Sequence, residues 1–225
     1  MAVLRAGNSF LKVNGKVLVR KEGGYIPPLP ATYTRLTGVR FRDRTYVRTN
    51  FVFNSTQYIE ADLSYTPKTS EGYNALFGAR RSNNYGDQYT IYGRYSGDNN
   101  IYLESGNRVS NRVMSYPNYR ILIYASKYKI IVKKQSTDEV VADVSLNINW
   151  NRCESNLCIG ATTDNNWQTA WMDLFGFAVR DIATNEYLMY MIPCTRDSDG
   201  VVGLYDAINN TFYSSYFSSQ LIAIQ

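Results

Sequence analysis

A chain of 225 residues with 44% hydrophobic residues, 20 Tyr and no His has room for one large all-β domain and a short extension. The missing His removes the commonest general base, metal ligand and neutral-pH switch together, and the length suffices to bury about 70–75% of the unfolded surface without disulfide or metal staples. The net charge of +5 is uneven: residues 1–48 hold ten Lys or Arg against Glu22 and Asp43, a net +8, while the remainder carries −3. Such an asymmetry steers the N-terminal part toward an acidic protein surface, and since the basic residues are not set in a nucleic-acid module, nucleic acid is not an expected partner.

Taken in chain order, the start MAVLRAGNSF lacks the apolar run of a secretory signal, and no stretch has the length to span a bilayer. Synthesis in a cytoplasm, with no membrane partner, is the expectation. Leu11-Lys12-Val13, Asn14-Gly15 and Lys16-Val17-Leu18 predict a hairpin, because Asn-Gly supplies the two positive φ angles of a type I′ turn. Gly23-Gly24 and Pro27-Pro28-Leu29-Pro30 then break any ladder and suit an extended linker. Residues 1–30 thus read as a basic attachment segment, with Arg5, Lys12, Lys16, Arg20 and Lys21 as its contacts, and residues 31–225 as a separate sandwich.

From residue 31 onward, period-two alternation punctuated by turn residues predicts antiparallel strands and no long helix. Arg40, Arg42 and Arg44 alternate like one exposed strand face. Ile59, Ala61, Leu63 and Tyr65 should point inward, with Glu60, Asp62 and Ser64 on the opposite face. Similar runs cover 89–95, 101–103, 120–124, 128–133, 140–146, 157–161, 174–179 and 188–192, so the fold class is an all-β, two-sheet antiparallel sandwich. Cys153, Cys158 and Cys194 have no metal-ligand spacing and are expected as buried thiols.

The last eighty residues carry the most specific pattern: Leu157-Cys158-Ile159-Gly160, then Trp171 to Asp181, then Tyr187-Leu188-Met189-Tyr190-Met191-Ile192-Pro193. They resemble the closing strands of concanavalin A-like (laminin G-like) jelly-roll sandwiches. The continuation from Thr195 to Asp206, with Phe212 and Tyr213, resembles a tail found on such domains in phage and prophage structural proteins. Turn chemistry accounts for this tail independently: Gly200 and Gly203 permit tight turns, Asp197 and Asp199 can bond nearby amides, and Leu204, Tyr205, Phe212 and Tyr213 can pack on a sheet.

Glucanases of this fold, as the resemblance implies, carry paired Glu on one strand face. Here the nearest match, Glu60-Ala61-Asp62-Leu63-Ser64-Tyr65, has no second Glu, so the expectation is a non-enzymatic protein. Sugar sites need aromatic platforms beside Asn or Asp acceptors, and the candidate loops are 82–87, with Tyr85 and Asp87, and 164–167, with Asn165 and Trp167. Neither Asp87 nor Asp164 belongs to a ligand series of fixed spacing, so no metal or cofactor is assigned. Trp171 is expected in the core.

The resemblance implies a virion component, a head or tail fibre or a capsid decoration protein, made in the host bacterial cytoplasm. Its implied partners are other virion proteins of capsid or tail and a host cell-surface glycan, and homo-oligomers are expected because a ribbon can pair between copies by edge addition. A free carbohydrate-binding module is the alternative, and a glycoside hydrolase the remotest reading.

Overall fold

The computed structural model describes residues 10–13, 16–19, 28–42, 44–67, 73–81, 84–94, 100–106, 109–153, 155–162, 169–217 and 219–225. Among these there is no helix. The strands are β1 (Phe10–Val13), β2 (Lys16–Val19), β3 (Tyr33–Arg35), β4 (Gly38–Phe41), β5 (Val47–Arg48), β6 (Gln57–Thr66), β7 (Tyr73–Arg81), β8 (Asn84–Arg94), β9 (Asn100–Ser105) and β10 (Val109–Ser115). They continue with β11 (Ile121–Ser126), β12 (Lys129–Lys134), β13 (Val140–Ser145), β14 (Cys158–Ile159), β15 (Trp171–Asp181), β16 (Tyr187–Arg196), β17 (Val201–Asp206), β18 (Thr211–Ser214) and β19 (Ile222–Ile224).

β1 and β2 form the expected hairpin, with Val13 opposite Lys16; its turn, Asn14-Gly15, lies outside the described residues. The other strands build two antiparallel sheets. The narrow sheet runs β10-β9-β8-β7-β14-β5, and the wide sheet runs β13-β12-β11-β6-β15-β16-β17-β18 with β4 on β15, β3 on β16 and β19 on β4. The all-β, two-sheet jelly-roll sandwich expected from the sequence is therefore the fold.

The alternation on β6 works as predicted: Ile59, Ala61, Leu63 and Tyr65 are buried between the sheets, while Glu60, Asp62 and Ser64 stand half-buried on the outer face. Rings lock the layers together. Phe77 of the narrow sheet meets Phe177 of the wide one edge-on at 5.5 Å, and Phe53, Tyr89 and Trp150 pack at 5.1–5.5 Å. The fully buried Tyr89 spends its polar end by donating to Ser126 O at 2.9 Å. Cys153, Cys158 and Cys194 are buried thiols in no disulfide, and burial pushes the Cys194 thiol up to about 11.

Turn chemistry sets the hairpins. Asp181 Oδ1 accepts from the amides of Ala183 and Thr184 at 2.8 and 2.9 Å, and Asn185 takes the left-handed position before β16. In the tail, Leu204 and Tyr205 are buried and Phe212 stacks on Tyr33 at 5.4 Å, so this segment closes the sheet as expected. Asp199 bonds the Val201 amide, as its spacing suggested, whereas Asp197 accepts from the Thr34 hydroxyl instead, and Gly203 lies not in a turn but inside β17, where a Cβ would meet Tyr213 O.

Three expectations need correction. Arg44 does not continue the strand face of Arg40 and Arg42: β4 stops at Phe41, and Arg44 sits in a turn at φ 68°. The 82–87 segment is not a broad loop, because Arg81 already pairs with Asn84 and the strand resumes there, so Tyr85 and Asp87 are β8 residues. Trp171 is half-buried on the outer face of β15 rather than in the core, since it shares the face of Asp173 and not that of Met172.

Gly160, which ends the Leu157-Cys158-Ile159-Gly160 run, explains that pattern physically. Its φ is +84°, and a Cβ there would lie 2.6 Å from Phe41 Cδ1. Gly160→Ala should destabilise the protein by about 1–3 kcal/mol through strain and overpacking. Urea unfolding followed by Trp fluorescence checks this, and an unshifted midpoint would contradict it.

Candidate binding face

The outer face of the wide sheet collects charged and aromatic side chains that the sequence scatters. The β6–β15 register sets Glu60 opposite Ala178 and Asp62 opposite Gly176, and on the other flank Tyr124 and Leu122 of β11 lie opposite the same two carboxylates. Glu60 and Asp62 thus stand in mid-sheet on one surface.

Each carboxylate there meets a guanidinium, and Arg42, Arg120 and Arg180 each lie over an aromatic ring. Arg120 donates from Nε and Nη2 to the two oxygens of Asp62, both at 2.6 Å, and lies 3.7 Å over the Phe175 ring. Arg40 donates in the same forked way to Asp173 at 2.8 and 2.9 Å, and Arg42, which lies over Trp171, adds a 3.5 Å ion pair to the same carboxylate. Asp173 holds the Arg40 guanidinium above its ordinary pKa, chiefly through these hydrogen bonds. Forked pairs fix geometry as well as energy.

Glu60 is engaged differently. Its Oε1 lies 3.3 Å from Arg180 Nε, yet that Nε has no aligned hydrogen bond, so the contact is one of charge to charge. Arg180 spends Nη1 on Asn185 O at 3.2 Å and Nη2 on Tyr187 Oη, with its guanidinium 3.7 Å over the Tyr187 ring. Burial, and then the charge of Glu60, push the Tyr58 and Tyr187 phenols upward. Tyr58 donates to Asn185 Oδ1 at 2.6 Å. The face is a flat mosaic of matched charges and rings, suited to contact.

Two other surface features frame it. Along one side of the sandwich, Tyr216 and Phe217 are exposed and pack on the buried Tyr46, with Arg48 5.6 Å over the Tyr216 ring. Along the other side a groove of about 590 Å³ runs between β10 and β13.

The residues singled out from sequence that the structure describes lie on other elements. Tyr85 and Asp87 are strand positions of the narrow sheet, Lys12 and Lys16 belong to β1 and β2, and Asn165, Trp167, Arg5, Arg20 and Lys21 lie outside the described residues. No group of three or more His, Cys, Asp or Glu with metal-binding proximity occurs among the described residues. Sequence reading named Glu60 and Asp62 but missed Arg120, Phe175 and Arg180. Their only signal was an outward place in an alternating run.

No protein-family model and no curated protein matches the sequence. Among solved structures the chain is similar to a native heptameric SAP-like pentraxin from Limulus polyphemus, at 10% identity over 85% of this chain and 94% of that one, with a TM-score of 0.50. Weaker likenesses include the exoplasmic/lumenal domain of VIP36 in its Ca2+/Man2-bound form, at 10% identity over 71% and 80% with a TM-score of 0.38. Another is scytalido-glutamic peptidase with a transition state analog inhibitor, at 13% identity over 84% and 92% with a TM-score of 0.34. At such identity the pentraxin likeness speaks to the fold alone, and the weaker two add nothing to it. The fold is a concanavalin A-like jelly-roll sandwich.

Arg120 both clamps Asp62 and covers Phe175. Arg120→Ala should cost about 1 kcal/mol, and Arg120→Lys should recover only part of it because a point charge cannot fork. Thermal melts of the three proteins at low and at 1 M salt would test this, and equal melting temperatures would contradict it.

Proposed function

We propose that the chain is a non-enzymatic structural component of a bacteriophage virion, a head or tail fibre or a capsid decoration protein. It attaches by its N-terminal segment and displays the lectin-like sandwich toward a host-surface glycan or a neighbouring virion protein. The observation that carries the non-enzymatic part is the committed state of the outer-face carboxylates. Arg40 and Arg42 hold Asp173, Arg120 holds Asp62, and Arg180 faces Glu60. Hydrolysis by a carboxyl pair needs one group open to act as acid and another as base or nucleophile across a bound substrate. A flat face whose carboxylates already answer arginines offers contacts instead.

The attachment part is supported by the net +4 of residues 1–30, five Lys or Arg against Glu22, and by a ribbon, β1–β2, whose strands pair with each other. The virion setting rests on the resemblance of the tail from Thr195 onward. A second reading, a free carbohydrate-binding module, is favoured by the exposed rings of Tyr216 and Phe217 beside Arg48, with Tyr85, Asp87, Asn165 and Trp167 as further candidate contacts.

Deleting residues 1–30 should abolish incorporation into purified particles, read by mass spectrometry, while the circular dichroism of the sandwich stays that of a folded β protein. Incorporation at the wild-type level would contradict the virion reading. A glycan array positive for the wild type and lost in Trp167→Ala or Tyr216→Ala would favour the second reading.

A further inference from the structure

The two long sides of the sandwich are finished differently. On one, the edge strands β5 and β18 are bridged by the chain between β18 and β19: Tyr216 N donates to Tyr46 O at 2.8 Å, and the rings of Tyr216 and Phe217 pack on Tyr46 at 5.4 and 5.5 Å. On the other, β10 and β13 face each other across the groove of about 590 Å³ with no strand between them among the described residues. The groove's lining mixes apolar Val113, Met114, Val141 and Val144 with the charged Arg112 and Asp143, and Val113 belongs to the main core.

Edge strands present unpaired N–H and C=O groups, and proteins usually guard them with proline, charge or cover. β13 reads Val-Val-Ala-Asp-Val-Ser, has no proline, and its single charge, Asp143, is held by Lys129 at 2.9 Å. A bulge interrupts its ladder with β12 near Val141, but from Ala142 to Ser145 the pairing is regular, so its outer edge can take another strand.

The same chain contains a ribbon in need of such an edge. β1 and β2 pair over four residues each, and a lone two-stranded hairpin is marginal in water. Their sequences, Phe-Leu-Lys-Val and Lys-Val-Leu-Val, hold six apolar residues and two lysines.

We infer that the β1–β2 ribbon of one copy adds to the β13 edge of a second copy and fills the β10/β13 groove. Strand addition supplies main-chain hydrogen bonds, and the groove supplies apolar cover for alternate side chains. The contact is heterologous, ribbon to groove, so copies join head to tail into rings or rows. This inference rests on reading the N-terminal segment as an attachment element, and it names the neighbouring copy as that segment's partner.

The test uses the full chain with two blocks. Leu18→Pro disables the ribbon and leaves the groove, whereas Val144→Arg fills the groove and leaves the ribbon; Val141→Arg is a second groove block in case the first unfolds by circular dichroism. By light scattering the wild type should exceed 25.7 kDa in a concentration-dependent way, and each variant alone should stay at 25.7 kDa. An equimolar mixture of Leu18→Pro with a folded groove variant should give a species of doubled mass, since only that pairing leaves one intact ribbon and one intact groove. A wild type monomeric up to its solubility limit, a Leu18→Pro variant that still assembles, or a mixture that stays monomeric would each overturn the inference. Self-assembly without particle incorporation would sink the virion reading and leave this one standing.

Discussion

The pairing of β6 with β15 is the constraint on which the rest depends. These strands are ten and eleven residues long, lie over a hundred positions apart in sequence, and pair from Trp171 opposite Thr66 to Asp181 opposite Gln57 with one bulge between Leu174 and Gly176. Closing so long a loop costs entropy that only an extended ladder with a continuous apolar face can offset. The inward residues of both strands, including Ile59, Leu63, Met172, Leu174, Phe177 and Val179, supply that face. Once the ladder is set, β11 has an edge to join on one flank, and β4 and β16 on the other.

The same register organises the outer surface. Because side chains alternate, fixing the inward set fixes Glu60, Asp62, Asp173, Phe175 and Arg180 outward, and the flanking strands bring Arg40 and Arg120 within reach. A slip of one residue would send these charges into the core. The arginines therefore do two things at once: they match the carboxylates, and their planar groups cover Phe175, Tyr187 and Trp171. The result is a face with little free chemistry and much capacity for contact. Function is then a matter of what meets the faces and edges of the sandwich.

How much of this was legible in the sequence differs by feature. The alternation of Ile59, Ala61, Leu63 and Tyr65 against Glu60, Asp62 and Ser64 is a local signal, and so are the hairpin around Asn14-Gly15 and the turn at Asp199-Gly200; each reads correctly without knowledge of partners. The partners are not local. Arg120 is 58 residues from Asp62, and no spacing rule predicts that they share a surface. β5, two residues long, carries no period of its own and exists because β14 offers it an edge, whereas β14 lies inside the 157–161 run and pairs with the long β7. The 82–87 segment misleads for the opposite reason: its Asn, Gly and Asp favour turns, but Arg81 already pairs with Asn84, and the ladder claims the residues that follow.

Hydrogen–deuterium exchange under native conditions, read by mass spectrometry on peptides, measures the central pairing most directly. The account predicts that peptides covering residues 57–66 and 171–181 exchange slowest in the protein, near the rate of global unfolding, with the edge strands β10 and β13 exchanging far sooner. Exchange of the 57–66 and 171–181 peptides as fast as that of the edges would show that the sandwich is not built on this ladder, and the charge-matched face derived from its register would fall with it.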